Sequence, residues 1–82
     1  MKSVLLLIAD WCPVCPGAKA LWDRLKEQYN FEYEVYDISS PEGQELAKKY
    51  NITGVPTTII DGRVVFSGIP NRDEAIASIS KA

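Results

Sequence analysis

The sequence predicts an α/β domain in the order strand, helix, strand, helix, strand, strand, helix, with a mixed four-stranded sheet flanked by three helices. Three observations carry that prediction. The apolar run from Val4 to Ala9 has the length of a strand buried on both faces and leads, through a short corner, into a helical pattern. In TTIIDGRVVFSG, two β-rich runs flank Asp61-Gly62, a pair suited to a tight type I′ hairpin. A strand–helix–strand start implies a right-handed crossover and two parallel strands, to which the hairpin adds an antiparallel pair.

The elements follow in order. After the first strand, Ala18, Leu21, Trp22, Leu25 and Tyr29 fall at i, i+3, i+4, i+7 and i+11, one apolar face at helical period. Lys19, Asp23, Arg24, Lys26 and Glu27 take the other faces, and the helix is expected from about Pro13 to Tyr29. Phe31, Tyr33, Val35 and Asp37 then alternate with Glu32, Glu34, Tyr36 and Ile38, and the early part of this run has the periodicity of a strand with one wet face. The next segment, SSPEGQELAKKYN, reads as a helix with Ser40 as N-cap, Pro41 at the first position and Asn51 near the stop. Glu42 in its first turn and Lys48 and Lys49 in its last suit the macrodipole, whereas Gly43 is a weak helix former. Asn71 can cap the last helix, with Glu74 three residues on and Ala75, Ile76 and Ile79 facing inward.

At 82 residues the chain is expected to form a single domain, 1–82, with no linker or repeat. Hydrophobic residues at 46% and charged residues at 24% are ordinary for a globular protein. The net charge is −2 with both signs scattered, so no basic block points to nucleic acid and no polybasic run to a membrane surface. Lys2 and the apolar run after it imitate the start of a signal peptide, but the run stops at Asp10 with no small-residue cleavage site, and a buried strand is the better reading. No stretch approaches the ~20 apolar residues of a transmembrane helix. The expectation is a cytoplasmic protein.

Both cysteines lie in DWCPVCP, and the chain has no histidine. Cys12 falls where the first strand ends and the helix begins. Amides of a helix's first turn lack partners and the dipole there favours negative charge. A thiolate on Cys12 could therefore accept from the amides of Val14 and Cys15, with its pKa below the free value of ~8.5. Pro13 suits the first helical position. Pro16 would then remove a bond to the Cys12 carbonyl, so a local distortion is expected. A structural zinc site takes about four Cys or His ligands and two are present, so zinc would need a dimer or carboxylates. As a staple, so short a disulfide loop contributes only ~2 kcal/mol. Spacing and context favour redox chemistry, with metal binding and an inert thiol pair as the alternatives.

The sequence resembles the thioredoxin–glutaredoxin superfamily. LLLIADWCPVC is similar to the strand-to-active-site segment of thioredoxins, tryptophan included, and YNITGVPTTIIDGRVVFSG to their later proline–hairpin segment. The resemblance runs from Val4 into the last helix, and the overall length is that of glutaredoxins. It implies a thioredoxin-like fold and a thiol–disulfide oxidoreductase in which Cys12 attacks and Cys15 resolves the mixed disulfide. It further implies that Pro56 is cis and that the Val55 backbone pairs with an extended substrate segment. Trp11, Pro13, Val14, Gly68 and Ile69 would complete the substrate-binding surface. The implied partners are disulfide-containing proteins and an electron donor, either a thioredoxin reductase-like enzyme or a small thiol such as glutathione. The protein would act as a monomer with no cofactor and no metal.

Two departures qualify this reading. Thioredoxins carry a buried aspartate six residues before the nucleophile. Here that position is Leu6, so another base or water must serve, and Asp10 is expected to be exposed. Glutaredoxins place a glycine pair after the hairpin, whereas here Gly68 is followed by Ile69 and Pro70. A glutathione-dependent glutaredoxin is therefore the alternative, and a metal- or iron–sulfur-binding module of this fold is a further one.

Overall fold

A computed structural model describes residues 2–80. Its elements are β1 (Ser3–Ile8), α1 (Cys15–Gln28), β2 (Glu32–Asp37), α2 (Pro41–Tyr50), β3 (Thr57–Ile60), β4 (Arg63–Ser67) and α3 (Arg72–Ser80). This is the expected order. Residues 1, 81 and 82 of the expected 1–82 domain lie outside the described range.

The strands form one mixed sheet in the order β2-β1-β3-β4. β1 runs parallel to β2, with Leu6 opposite Val35 and Ile8 opposite Asp37. It runs antiparallel to β3, with Leu6 opposite Thr58, and β3 pairs antiparallel with β4. β1 is thus interior, which is why its side chains are apolar on both faces: Leu6 and Leu7 are both buried. Asp61 and Gly62 have φ of 50° and 80°, both in the left-handed region that a type I′ turn requires.

α1 and α3 cover one face. Val4, Leu6, Ala18, Trp22, Leu25, Phe31, Ile60, Ala75 and Ile79 form its core, with Tyr33 and Val35 of β2 packed against it. Trp22 is completely buried. Its Nε1–H donates to Thr58 Oγ1 at 3.1 Å and its ring meets Phe31 edge-on at 6.1 Å, so the indole's apolar body and polar edge are both satisfied. Residues Leu5, Glu34 and Tyr36, of opposite parity, line a surface with Glu42, Leu46 and Lys49 of α2, which covers the other face.

The caps of α2 follow the sequence. Ser40 is the N-cap and its Oγ accepts from the Gly43 amide at 3.0 Å, Pro41 opens the helix, and Asn51 closes it with φ 59°. Gly43 is more than a weak helix former. A Cβ there would fall 2.0 Å from the Asp37 carbonyl oxygen, so the glycine lets the helix start lie directly on the end of β2. Asn71 Oδ1 accepts from the amides of Asp73 and Glu74 at 2.9 and 3.1 Å, capping α3 as expected.

The start of α1 differs from the expectation. The helix begins at Cys15, not at about Pro13, and Val14 is its N-cap, without a side-chain cap. A start at Pro13 would put Pro16 where the first intrahelical N–H bond is due. A start at Cys15 puts Pro16 at the second position, where the amide has no helical partner and its loss costs nothing. The first bond runs from the Ala18 amide to the Val14 carbonyl at 3.3 Å. The distortion expected at Pro16 is thereby avoided by a later start, and Pro13 lies outside the helix.

Candidate active site

The two cysteines sit where β1 gives way to α1. The Cys12 amide donates to the Ala9 carbonyl at 3.2 Å, closing a turn over Ala9-Asp10-Trp11 that brings Cys12 back against the end of the strand. Cys15 is the first residue of the helix, one turn along. Ala9, Cys12 and Cys15 form a small apolar cluster against which Ile8, Ile38 and Val55 pack. Both cysteines are free thiols, Cys12 5% exposed and Cys15 2%.

The sulfurs have distinct surroundings. Cys12 Sγ donates to the Val55 carbonyl at 3.7 Å, a weak contact that ties it to the segment entering β3. That contact differs from the expected amides of Val14 and Cys15. Val14 is the N-cap of the helix and Cys15 its first residue. Burial pushes the Cys15 thiol up to about 11, helped by a hydrogen bond with Cys12 and opposed by one at the Ala9 backbone. Negative charge on Cys12 and Asp37 adds to the rise. At neutral pH Cys15 is a protonated thiol in contact with Cys12.

The other predicted residues divide into groups. Val55 joins the cysteine cluster directly. The Val55-Pro56 bond is cis, and the Pro56 carbonyl accepts from the Gly68 amide at 2.8 Å, so Pro56 and Gly68 line a neighbouring groove with Val55 and Thr57. Trp11 is 74% exposed, which removes it from the core, and Pro13, Val14 and Ile69 are also exposed. Ile69 rests on α1, its Cδ1 2.9 Å from where a Cβ on Gly17 would stand. A cavity of about 250 Å³ opens beside the thiols from Ile8 and Asp10, across Cys12 and Cys15, to Pro16 and Lys19. A larger one of about 630 Å³ lies along α2 between Ile38, Ala47 and Ile52 and contains neither sulfur.

Leu6 is buried in the main core, as its strand position demands. Asp10 is exposed at the cavity mouth. No motif marks Ile8, Gly17, Lys19, Asp37 or Ile38 as a site residue. The signal that bears on Asp37 is the alternation of Phe31, Tyr33 and Val35, which continues to it on the α1 face. Among the described residues no three His, Cys, Asp or Glu side chains are grouped to hold a metal ion. No helix among them is long and apolar enough to cross a membrane.

Residues 3–80 match the thioredoxin domain family. The chain belongs to that family. It is 33% identical to a thioredoxin of Methanocaldococcus jannaschii over 96% of this chain and 93% of that one. Among solved structures it is similar to Fasciola hepatica thioredoxin, with 30% identity, a TM-score of 0.76, and coverage of 96% of this chain and 78% of that one. A mutant thioredoxin from Halobacterium salinarum gives 26% identity and a TM-score of 0.78 over 99% of this chain and 77% of that one. The fold is thioredoxin-like and the activity is that of a protein-disulfide oxidoreductase. The glutaredoxin alternative is not better supported, because the relatives are thioredoxins. Thioredoxins act on disulfide substrates and are reduced by a reductase.

Proposed function

We propose that Cys12 is the attacking thiol of this oxidoreductase and Cys15 the resolving one. The observation that carries the reading is the asymmetry of two thiols in contact. Cys15 is buried and held as a thiol, while Cys12 sits against the Val55 carbonyl, next in the chain to the exposed Trp11 and Pro13. The Cys12 thiolate attacks one sulfur of a target disulfide, and the S–S bond breaks to release the other as a thiolate that takes up a proton. Cys15, losing its proton, then attacks Cys12 Sγ. The Cys12–Cys15 bond forms, the bond to the target breaks, and the second target sulfur leaves as a thiolate and is protonated. Two electrons pass from the dithiol to the target.

Val55 and Pro56 give an extended target segment a backbone edge beside the sulfur. Trp11, Pro13, Val14, Gly68 and Ile69 give it apolar surface. The targets are disulfide-containing proteins, the oxidised pair is returned by a thioredoxin reductase-like enzyme or a small thiol, and the chain works as a monomeric single domain in the cytoplasm. The test is turnover of a protein disulfide with the two serine variants. Cys12→Ser is expected to abolish turnover, and Cys15→Ser to accumulate a covalent adduct at Cys12 seen by intact mass. Full activity in Cys12→Ser overturns the assignment.

A further inference from the structure

Gly17 is the third residue of α1, where its backbone is helical rather than left-handed. Glycine is the weakest helix former after proline, so local structure gives no reason for it there. The reason lies on another segment. A Cβ at Gly17 would stand 2.9 Å from Ile69 Cδ1 and 3.7 Å from Ile69 Cγ1. The first distance is too short for two carbons, whereas the second is an ordinary van der Waals contact. The missing side chain is thus a seat for the tip of Ile69. The backbone on either side of Ile69 is held, since the Gly68 amide donates to the Pro56 carbonyl at 2.8 Å and Pro70 is buried. An isoleucine that is 52% exposed is therefore fixed against the helix two residues after Cys15. It also lies next in the chain to Gly68, which lines the groove of Val55 and Pro56.

We propose that Gly17 is a positioning residue for protein-disulfide targets. Its bare Cα seats Ile69 against α1, and the seated Ile69 joins the groove of Val55, Pro56 and Gly68 to the helix start as one apolar wall. The proposal rests on the target surface assigned above, of which Ile69 is a part. Gly17 itself lines neither the thiol cavity nor the cysteine cluster, so it acts through Ile69. The wall fits an extended segment that carries an apolar side chain beside its disulfide, because Ile69 offers an aliphatic tip and no residue lining the groove is charged. A small disulfide has no such segment and reaches Cys12 without using the wall. Helix propensity alone would favour alanine at this position, and the glycine gives up that stability for the placement of Ile69.

The experiment compares the parent with Gly17→Ala, Ile69→Val and the double variant. The reduced full chain is mixed with insulin as the protein disulfide, or with hydroxyethyl disulfide as the small one, and its oxidation is followed by acid quench and alkylation. Gly17→Ala displaces only the end of a side chain, so its urea midpoint is expected at or above the parent's. Its half-saturating insulin concentration should rise roughly fourfold, the worth of about one methylene of apolar contact. The maximal rate and the rate with hydroxyethyl disulfide should stay at the parent's values, as for a loss of binding alone. Ile69→Val removes Cδ1, the atom that the new Cβ would meet. In that background Gly17→Ala should change the insulin value by less than about twofold. An unchanged insulin value in Gly17→Ala, an equal loss with hydroxyethyl disulfide, or the same rise in the Ile69→Val background overturns the proposal. Ile69→Ala reports separately on the underlying reading. If it raises the insulin value while Gly17→Ala does not, the seat alone fails; if it leaves the value at the parent's, the target surface itself fails.

Discussion

The starts of α1 and α2 lie near each other and are built in opposite ways. The start of α2 is saturated. Ser40 Oγ donates to the Asp37 carbonyl and accepts from Gly43, the Ser40 amide donates to the same carbonyl, and Pro41 sits where no amide is needed. The start of α1 has a valine at the cap, no side-chain hydrogen bond and no acidic residue in its first turn. Capping is worth about 1 kcal/mol, so its absence at α1 leaves stability unused at the position that holds the two thiols. Local rules are kept where the chain only has to turn and relaxed where it performs chemistry. The two starts meet through Ile38, which lies two residues before the cap of α2 and packs against Ala9, Cys12 and Cys15.

The largest effect should come from breaking the well-built start. Gly43→Ala would gain up to ~1 kcal/mol from helix propensity alone. A Cβ at 2.0 Å from the Asp37 carbonyl oxygen and 2.8 Å from its carbon must instead move backbone, since both neighbours are main-chain atoms. Overpacking of that kind costs about 3 kcal/mol. The variant is expected to unfold at clearly lower urea concentration with an unchanged m-value, and a stabilised Gly43→Ala would refute the close approach of α2 to β2.

The next effect belongs to the other start, which carries the buried titrating group. Burial raises the Cys15 thiol to about 11, so the folded reduced protein holds that proton more tightly than the unfolded chain does. The resulting stability is present in full below the unfolded thiol's value, near 9, and is lost as the pH climbs from there through about 11. It amounts to on the order of 2 kcal/mol. The disulfide form has no thiol to titrate. The difference in stability between oxidised and reduced protein, measured by urea unfolding at pH 7, 9 and 10.5, should therefore widen with pH. A constant difference would mean that Cys15 titrates normally.

These two regions also show what could be read from residue types alone. The cap at Ser40-Pro41, the Asp61-Gly62 turn and the Asn71 cap are decided within a few residues, so the sequence pattern located each of them. The start of α1 is less local. Whether Pro16 breaks a bond depends on where the helix begins, and the pattern of Ala18, Trp22 and Leu25 fits a start at Pro13 or Cys15 equally well. Gly43 reads as a flaw until the backbone of Asp37, from another element, is laid against it. Cys12, Cys15, Val55 and Pro56 could be picked out by motif. Ile8 and Ile38 could not, because they come together against the thiols only once β1 and β2 are paired across the sheet.

The smallest effect sharpens the contrast between the two caps. Ser40→Ala should cost about 1 kcal/mol, because it removes the acceptor for Gly43 and the donor to Asp37 together. The reciprocal change, Val14→Ser, offers α1 the residue type it lacks. A capping hydroxyl reaches its amide from extended backbone, as at Ser40 with ψ 159°, whereas Val14 has φ −101° and ψ −7°. The second helical residue is also a proline, so only the Gly17 amide is available as a target. Val14→Ser should then change stability by less than about 0.5 kcal/mol in urea unfolding. A gain equal to the Ser40→Ala loss would show that α1 merely lacks a cap. The small change expected here would show that its backbone is set for the two sulfurs at the expense of ordinary helix capping.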